Sequence, residues 1–488
     1  MIRYRVIFRN LGLIILIIGI AMLTSLGWSL AYHEDVTIAI LEAALITIVS
    51  GLVLRLSFPK SIGISFKEGF ILVSLGWVVA SLFGCIPFIL SGYLPSFADA
   101  FFETVSGFTT TGASVVSDVE SWPKGLLFWR SLTQWLGGMG IIALFVAITA
   151  GMGPGANQLF KAEVPGPIAD KISPRIRETA RKLWGVYVLI SVICAVTLWM
   201  LGMNVFDALC HTFTTLATGG FSTKNTSIMF YANPVIEWAI TFFMFISGAS
   251  FTLHFLALKQ RKLSNYWRNS EFKLYAGIIM AASLLVALNL NRQGIISGWE
   301  APIRAALFQV VSIVTTTGFV TVDYNFWPAL ASGVILLMMF VGGCAGSTGG
   351  SIKPGRYLII GFRTTIELKK MVHPKAVLPL RFGGRFINDD LLINVLQFFF
   401  LYIMFLAAGW IAMTALGLDL ISGLSAAATC LGNIGPGLNL VGPMQNFAFI
   451  PDAGKHVLSI LMLVGRLEIY PILVLLLPEF WKDLNRRN

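Results

Sequence analysis

Residues 101–114 read FFETVSGFTTTGAS, and the chain returns to this pattern three more times. The other copies are 209–222 (LCHTFTTLATGGFS), 307–320 (LFQVVSIVTTTGFV) and 424–437 (LSAAATCLGNIGPG). In each, an apolar stretch runs into a short turn that ends on a glycine: Gly112, Gly220, Gly318 and Gly435. Each copy lies between two apolar runs of membrane length. Four quasi-equivalent re-entrant loops on one chain are the sequence form of a fourfold cation pore.

Composition agrees with that reading. The chain has 488 residues, 56% of them hydrophobic and 12% charged, with a mean hydropathy of +0.79. Soluble domains carry about 25% charged residues. Charge-free runs such as 10–32, 69–98, 131–160 and 391–418 each reach the roughly 20 apolar residues that a spanning helix needs. The expected class is an all-α polytopic membrane protein. The first run is too long for a signal-peptide core and reads as a retained helix. The five cysteines, Cys85, Cys194, Cys210, Cys344 and Cys430, sit in apolar segments without metal-ligand or disulfide spacing, and read as small packing residues.

Charge placement gives an orientation. Of the 35 basic residues, 28 fall in six segments: 1–10, 55–68, 158–182, 259–273, 353–385 and 482–487. The alternate loops are acidic or neutral. Positive loops stay in the cytoplasm, so both termini and the connectors are expected inside. The net charge of +11 arises from these loops, and no soluble domain is left to bind nucleic acid. The chain then divides into an N-terminal transmembrane hairpin (1–60) and four pore repeats: 61–157, 158–260, 261–380 and 381–488. Each repeat is a span, a short loop dipping in from outside, and a second span. The repeats run parallel about an axis along the membrane normal, with pseudo-fourfold symmetry around a central pore.

About 13 residues precede each glycine, enough for a half-helix. Asp99, Asp207 and Ser422 stand 13 residues ahead of their glycines and are expected N-caps; Ala305 breaks the pattern. Four such helices would aim partly negative C-terminal ends at one centre, favouring a cation. The turns are Thr110-Thr111-Gly112, Thr218-Gly219-Gly220, Thr316-Thr317-Gly318 and Asn433-Ile434-Gly435. Rings of backbone carbonyls replace an ion's water, and glycine permits the backbone angles this requires. One such turn alone would read as a helix kink; four in register do not. No carboxylate stands in the turns, which argues against a divalent-cation filter. No nucleophile–base set, metal cluster or phosphate loop appears, so the chain does not read as an enzyme or as a cofactor protein. A scaffold without transport would leave the four turns unexplained.

These residues resemble the Trk/Ktr/HKT potassium transporter superfamily over nearly the whole chain. The strings that carry the resemblance are WRSLTQWLGGMGI from Trp129, ATGGFST from Ala217, TTTGF from Thr315, GGCAGSTGGSIK from Gly342, NIGPG from Asn433 and GRLE from Gly465. The N-terminal hairpin and the length resemble the TrkH-type subunit more than the shorter KtrB type. The resemblance implies gated potassium uptake, a homodimer, an outward-facing filter and a cytoplasmic TrkA-like nucleotide-binding regulator with RCK domains. Glycine at all four filter positions is similar to the potassium-selective members; serine at the first marks the sodium-favouring plant relatives, and this chain has Gly112.

Two further features bear on mechanism. Residues 341–351 interrupt the second span of the third repeat and hold Gly342, Gly343, Gly346, Gly349 and Gly350 with Ser347, Thr348 and Ser351. A helix holds five glycines poorly, at about 1 kcal/mol each against alanine. The resemblance implies an intramembrane gating loop; the alternative is a close-packed helix of small residues. Arg466 is an intramembrane charge, a type that is usually functional or paired. The resemblance implies a place beside the pore near the gating loop, where it would repel cations when the gate is closed; a pair with Glu468 is the local alternative. Arg130 is expected to bind carbonyl ends or carboxylates near the outer loops. His211 and His254 read as packed side chains, and His373 as part of the basic connector 353–385, which is either a solvated face or a docking surface. Passive, channel-like conduction fits ionisable groups placed mostly at span ends. The inside-negative potential supplies about 2.3 kcal/mol per charge per 100 mV. Potassium symport coupled to protons or sodium is the alternative.

Overall fold

The computed structural model describes residues 2–59, 64–151, 176–376, 378, 381–382, 385–386 and 389–482. The expected repeat boundaries at 60/61 and 157/158, and the basic residues 486–487, lie outside them. Among the described residues the regular secondary structure is helical, apart from a two-residue antiparallel pairing of Arg381–Phe382 with Arg385–Phe386 and one isolated bridge. Six helices among the described residues are long and apolar enough to cross a membrane, and up to eight if each of two bent pairs counts as one span.

The N-terminal hairpin pairs Tyr4–Ala31 with Thr37–Ser57. Close approach rests on small residues. A methyl on Gly51 would lie 2.6 Å from the Leu16 nitrogen, and one on Gly12 would lie 2.8 Å from the Gly51 carbonyl oxygen. Lipid provides no hydrophobic drive between helices, so van der Waals fit of this kind holds them together. The hairpin packs on the first repeat, where the Glu34 carboxylate caps the helix Lys124–Gly151 by accepting from the Lys124 and Gly125 amides.

Four half-helices follow the expected plan: Phe97–Phe108, Val205–Leu216, Glu300–Val314 and Leu420–Gly432. Their starts correct the expected caps. The N-cap positions are Ser96, Asn204, Trp299 and Asp419, and Asn204 and Asp419 cap through their side chains. Asp99, Asp207 and Ser422 stand three residues further in, where an acid still complements the helix N-terminus but does not replace the cap. Helix three begins at Glu300, which is why Ala305 carries no cap signal.

The second spans differ from one another. Lys124–Gly151 is continuous. In the third repeat Ala329–Met338 and Pro354–Val372 flank the glycine-rich stretch, as expected from sequence. The second and fourth repeats depart from the expected continuous spans. Pro234–Ser247 meets Phe251–Gln260 at 95°, and Asp452–Arg466 meets Tyr470–Leu476 at 112°. At the latter break Glu468 (φ +53°) and Ile469 (φ +70°) adopt left-handed angles that no helix continues through.

On the face where the half-helices begin, bonds between the loops join the repeats in a closed cycle. Val119 N–H donates to the Asn225 side chain (2.7 Å), and Met229 N–H donates to the Val320 carbonyl (3.1 Å). Asn439 N–H donates to the Asn325 side chain (2.9 Å), and Phe447 N–H to the Ser114 carbonyl (2.8 Å). The Asn225 amide also donates to Asp118 at 2.8 Å and holds that carboxyl below its usual range.

Overpacking a close helix contact costs about 1–3 kcal/mol. Gly51→Val is therefore expected to lower the melting temperature of the detergent-purified protein, while Gly27→Val, where a methyl meets nothing within 4 Å, is expected to change it little.

A ring of four turns as the candidate ion site

Each half-helix ends in the same hydrogen-bonded closure. An amide just past the helix end donates to the carbonyl five positions back: Thr111 to Ser106 (2.9 Å), Gly219 to Thr214 (2.8 Å), Thr317 to Ser312 (2.8 Å) and Ile434 to Thr429 (2.9 Å). The amide before it donates to the carbonyl three residues back in all four, as in Thr110 to Gly107 (3.0 Å). This double bond pattern requires a left-handed residue, normally glycine or asparagine. Here it is Thr110 (φ +54°), Thr218 (+54°), Thr316 (+61°) and Asn433 (+54°). A β-branched residue in that region is a genuine outlier, costing about 1–3 kcal/mol, and such strain gathers at functional sites.

Two residues on, Gly112, Gly220, Gly318 and Gly435 also have positive φ, from +77° to +100°. They close a ring. A methyl on Gly112 would lie 2.1 Å from the Gly219 carbonyl oxygen, one on Gly220 1.9 Å from that of Thr317, one on Gly318 2.2 Å from that of Ile434, and one on Gly435 2.7 Å from that of Thr111. The order is one to two, two to three, three to four, four to one. All twelve filter residues expected from sequence therefore sit in one ring. Of their twelve carbonyls, only Gly219's accepts a hydrogen bond among the described residues. Buried carbonyls are nearly always paired, so this run of exceptions, on residues that are mostly buried, needs a partner of another kind. The Thr110 hydroxyl is likewise buried and unpartnered.

Side chains that the sequence reading did not single out as a set hold the ring from outside. In each repeat a residue nine or ten positions before the glycine reaches the strand just after it. Glu103 accepts from the Val115 amide (2.9 Å) and the Ser114 hydroxyl (3.0 Å). His211 bonds the Ser222 hydroxyl (3.0 Å), Gln309 the Thr321 hydroxyl (3.3 Å), and Ser425 accepts from the Leu438 amide (3.0 Å). His211 and His254 are packed side chains, as expected; His254 bonds Tyr266 and the Ile246 carbonyl. Arg130 joins two repeats, donating to Glu103 (2.6 Å) and to the Ser222 carbonyl (3.2 Å) with its guanidinium 3.5 Å from the Phe221 ring centroid. Lys455 pairs with Asp99 at 2.5 Å.

The glycine-rich stretch lies against the ring. Gly350 N–H donates to the Thr316 hydroxyl (2.7 Å), and the Thr348 and Thr218 hydroxyls bond at 3.2 Å. Thr348 also donates to the Leu216 carbonyl (3.0 Å). A parallel bridge of Val341 with Ile352 closes its base. Lys353 donates to the Gly349 carbonyl, and Glu271 accepts from the Ala345 (3.0 Å) and Gly355 (3.1 Å) amides. Gly342, Gly343 and Gly346 keep the stretch close: a methyl on Gly342 would lie 2.0 Å from the Gly350 carbonyl oxygen and one on Gly343 2.7 Å from the Ser347 hydroxyl. Arg466, 3% exposed, donates to the Thr348 carbonyl (2.8 Å) and to the Gly137 carbonyl (3.1 Å). Its local alternative partner, Glu468, pairs instead with Arg356 at 2.5 Å. Arg466 ends its helix, and Glu468 lies in the left-handed break beyond it.

Fold and ring together define a multi-pass membrane protein of the fourfold re-entrant-loop class. A model of the TrkH family of cation transport proteins matches residues 37–483. The chain is 39% identical over 483 residues to the Trk system potassium uptake protein TrkH of Escherichia coli K12, covering 98% of this chain and 100% of that one. It is 32% identical over 482 residues to TrkG of the same organism, covering 98% and 99%. The crystal structure of the potassium transporter TrkH from Vibrio parahaemolyticus matches with a TM-score of 0.88 at 35% identity, over 99% of this chain and 100% of that chain. The chain belongs to the TrkH family.

Gly220→Ala would force an alanine to φ +77° and drive its methyl into the Thr317 carbonyl. It is expected to lower the melting temperature, by the strain of about 1–3 kcal/mol and the displaced carbonyl together. Gly361→Ala, in a helix with open space around it, is expected to leave the melting temperature unchanged or raise it, the stability gain being up to about 1 kcal/mol.

Proposed function

We propose that this chain is the membrane-spanning subunit of a potassium uptake system, and that the ion passes through the ring of residues 110–112, 218–220, 316–318 and 433–435. One observation carries this: eleven of the ring's twelve carbonyls accept no hydrogen bond among the described residues, while three of the four turns are built on strained threonines. Such oxygens can take the place of an ion's water shell. The relatives' names, which speak of potassium uptake, support the choice of ion.

In this reading the passage is channel-like and driven by the membrane potential. Buried ionisable groups such as Arg466, Lys353, Glu103 and Arg130 are committed to structural bonds, which does not favour a coupled-symport relay. Residues 341–351, with Gly342, Gly343, Gly346, Ser347, Thr348, Gly349 and Gly350, form the gate, and Arg466 latches it through the Thr348 carbonyl. The protein sits in the bacterial inner membrane with both termini cytoplasmic, on the strength of its basic connectors. It acts as a homodimer with a cytoplasmic TrkA-like nucleotide-binding regulator; the "Trk system" in the relatives' names supports more than one component. The hairpin and four repeats, bounded as 1–60, 61–157, 158–260, 261–380 and 381–488, are its functional units. It needs no cofactor, and potassium is its cargo.

Rubidium and sodium flux into proteoliposomes tests the reading. Rubidium flux is expected to exceed sodium flux and to be lost in Gly318→Asp. Arg466→Ala removes charge-assisted bonds and is expected to raise resting flux about tenfold. Absence of flux in the wild type, in Arg466→Ala and with the regulator added would sink conduction.

A further inference from the structure

The ring is fourfold in backbone but not in its oxygens. Gln134, fully buried on the helix Lys124–Gly151, straddles the second turn. Its Nε2 donates to the Gly219 carbonyl at 2.7 Å, and its Oε1 accepts from the Phe221 amide at 3.1 Å. The two partners fix the amide's orientation, because a carbonyl only accepts and a backbone N–H only donates. Room for it comes from the absence of a side chain at Gly219: a methyl there would lie 2.4 Å from the Gln134 Cδ. The matching residues, Thr111, Thr317 and Ile434, all have side chains, and in the first and third turns the threonine hydroxyls pair with those of Thr109 and Thr315 at 2.7 Å. Their carbonyls accept no hydrogen bond among the described residues. The Gly219 oxygen is nonetheless part of the ring, lying at the seam with Gly112.

We propose that Gln134 is a selectivity-determining residue: its amide N–H engages the Gly219 carbonyl and weakens the field that this one filter oxygen presents to a permeating cation. The positive end of the N–H dipole lies beside the oxygen and opposes its negative end. A weaker field repays less of the dehydration cost of a small, tightly hydrated cation, while a larger, loosely hydrated cation loses little. The bond therefore biases the site toward the larger monovalent cation. The amide acts at the same time on both neighbours of Gly220, so it also fixes the width of the second turn.

This inference rests on the uptake reading, and one experiment separates the two. Rubidium and sodium fluxes are measured in proteoliposomes with the full-length wild type, Gln134→Met, which keeps the volume and removes the donor, and Gln134→Asn, whose shorter amide does not reach. Both variants are expected to lower the rubidium-to-sodium ratio by about tenfold, the scale of one hydrogen bond, with rubidium flux retained. A wild type without rubidium preference overturns the uptake reading itself. A selective wild type with an unchanged ratio in a conducting variant overturns the role of Gln134 alone. For a variant that folds but does not conduct, the melting temperature in potassium against sodium gives the readout. Loss of the wild-type potassium preference supports the proposal, and its retention overturns it. Failure of both variants to fold makes Gln134 a structural brace and overturns the proposal as well.

Discussion

The structure depends on one constraint: four helix ends must hold a left-handed, mostly β-branched residue and a positive-φ glycine so that each turn abuts the next. No single turn gains from this. Threonine at +54° to +61° is strained, and it persists only where the surroundings over-determine it. The surroundings here are the other three turns. Each glycine lies so close to the neighbouring carbonyl that a methyl would overlap it, which makes the ring a mutual lock.

The remaining architecture bears on that lock from three sides. Outside the ring, Glu103, His211, Gln309 and Ser425 pin the strands that leave it. Beyond them, the loop-to-loop bonds repeat the same cyclic order. Against the back of the ring lies the glycine-rich stretch, bonded to Thr218 and Thr316 and held by Lys353, Glu271 and Arg466. Charges buried in an apolar slab are costly unless they are bonded. Here several of them are bonded to backbone carbonyls and amides, so a shift of the stretch would leave buried charges unsatisfied.

The fold was legible because its decisive requirement is local. A positive φ pressed against a neighbouring turn's carbonyl leaves no room for a side chain, so four turns left the same mark at Gly112, Gly220, Gly318 and Gly435. Residues 341–351 were legible for the same reason, with five glycines against a helical background. The caps were misplaced by three residues because Asp99 and Asp207 serve the helix start nearly as well from the first turn. The breaks after Ser247 and Arg466 were hidden: Gly248 and Gly465 are single glycines in apolar runs, and Ile469 is the last residue whose type would suggest left-handed backbone. Gln134 lies in the string WRSLTQWLGGMGI, but nothing in those residues marks its amide as meeting Gly219, 85 positions away. Pairings of that range are set by packing and leave no periodic trace.

The central claim is that the unbonded carbonyls of the four turns bind a permeating cation. Anomalous X-ray scattering from crystals of this protein grown with rubidium or thallium in place of potassium tests it most directly. The account predicts an anomalous peak within the ring, among residues 110–112, 218–220, 316–318 and 433–435, that is lost when sodium replaces the heavier ion. Strong peaks elsewhere in the membrane region with none inside the ring would contradict it.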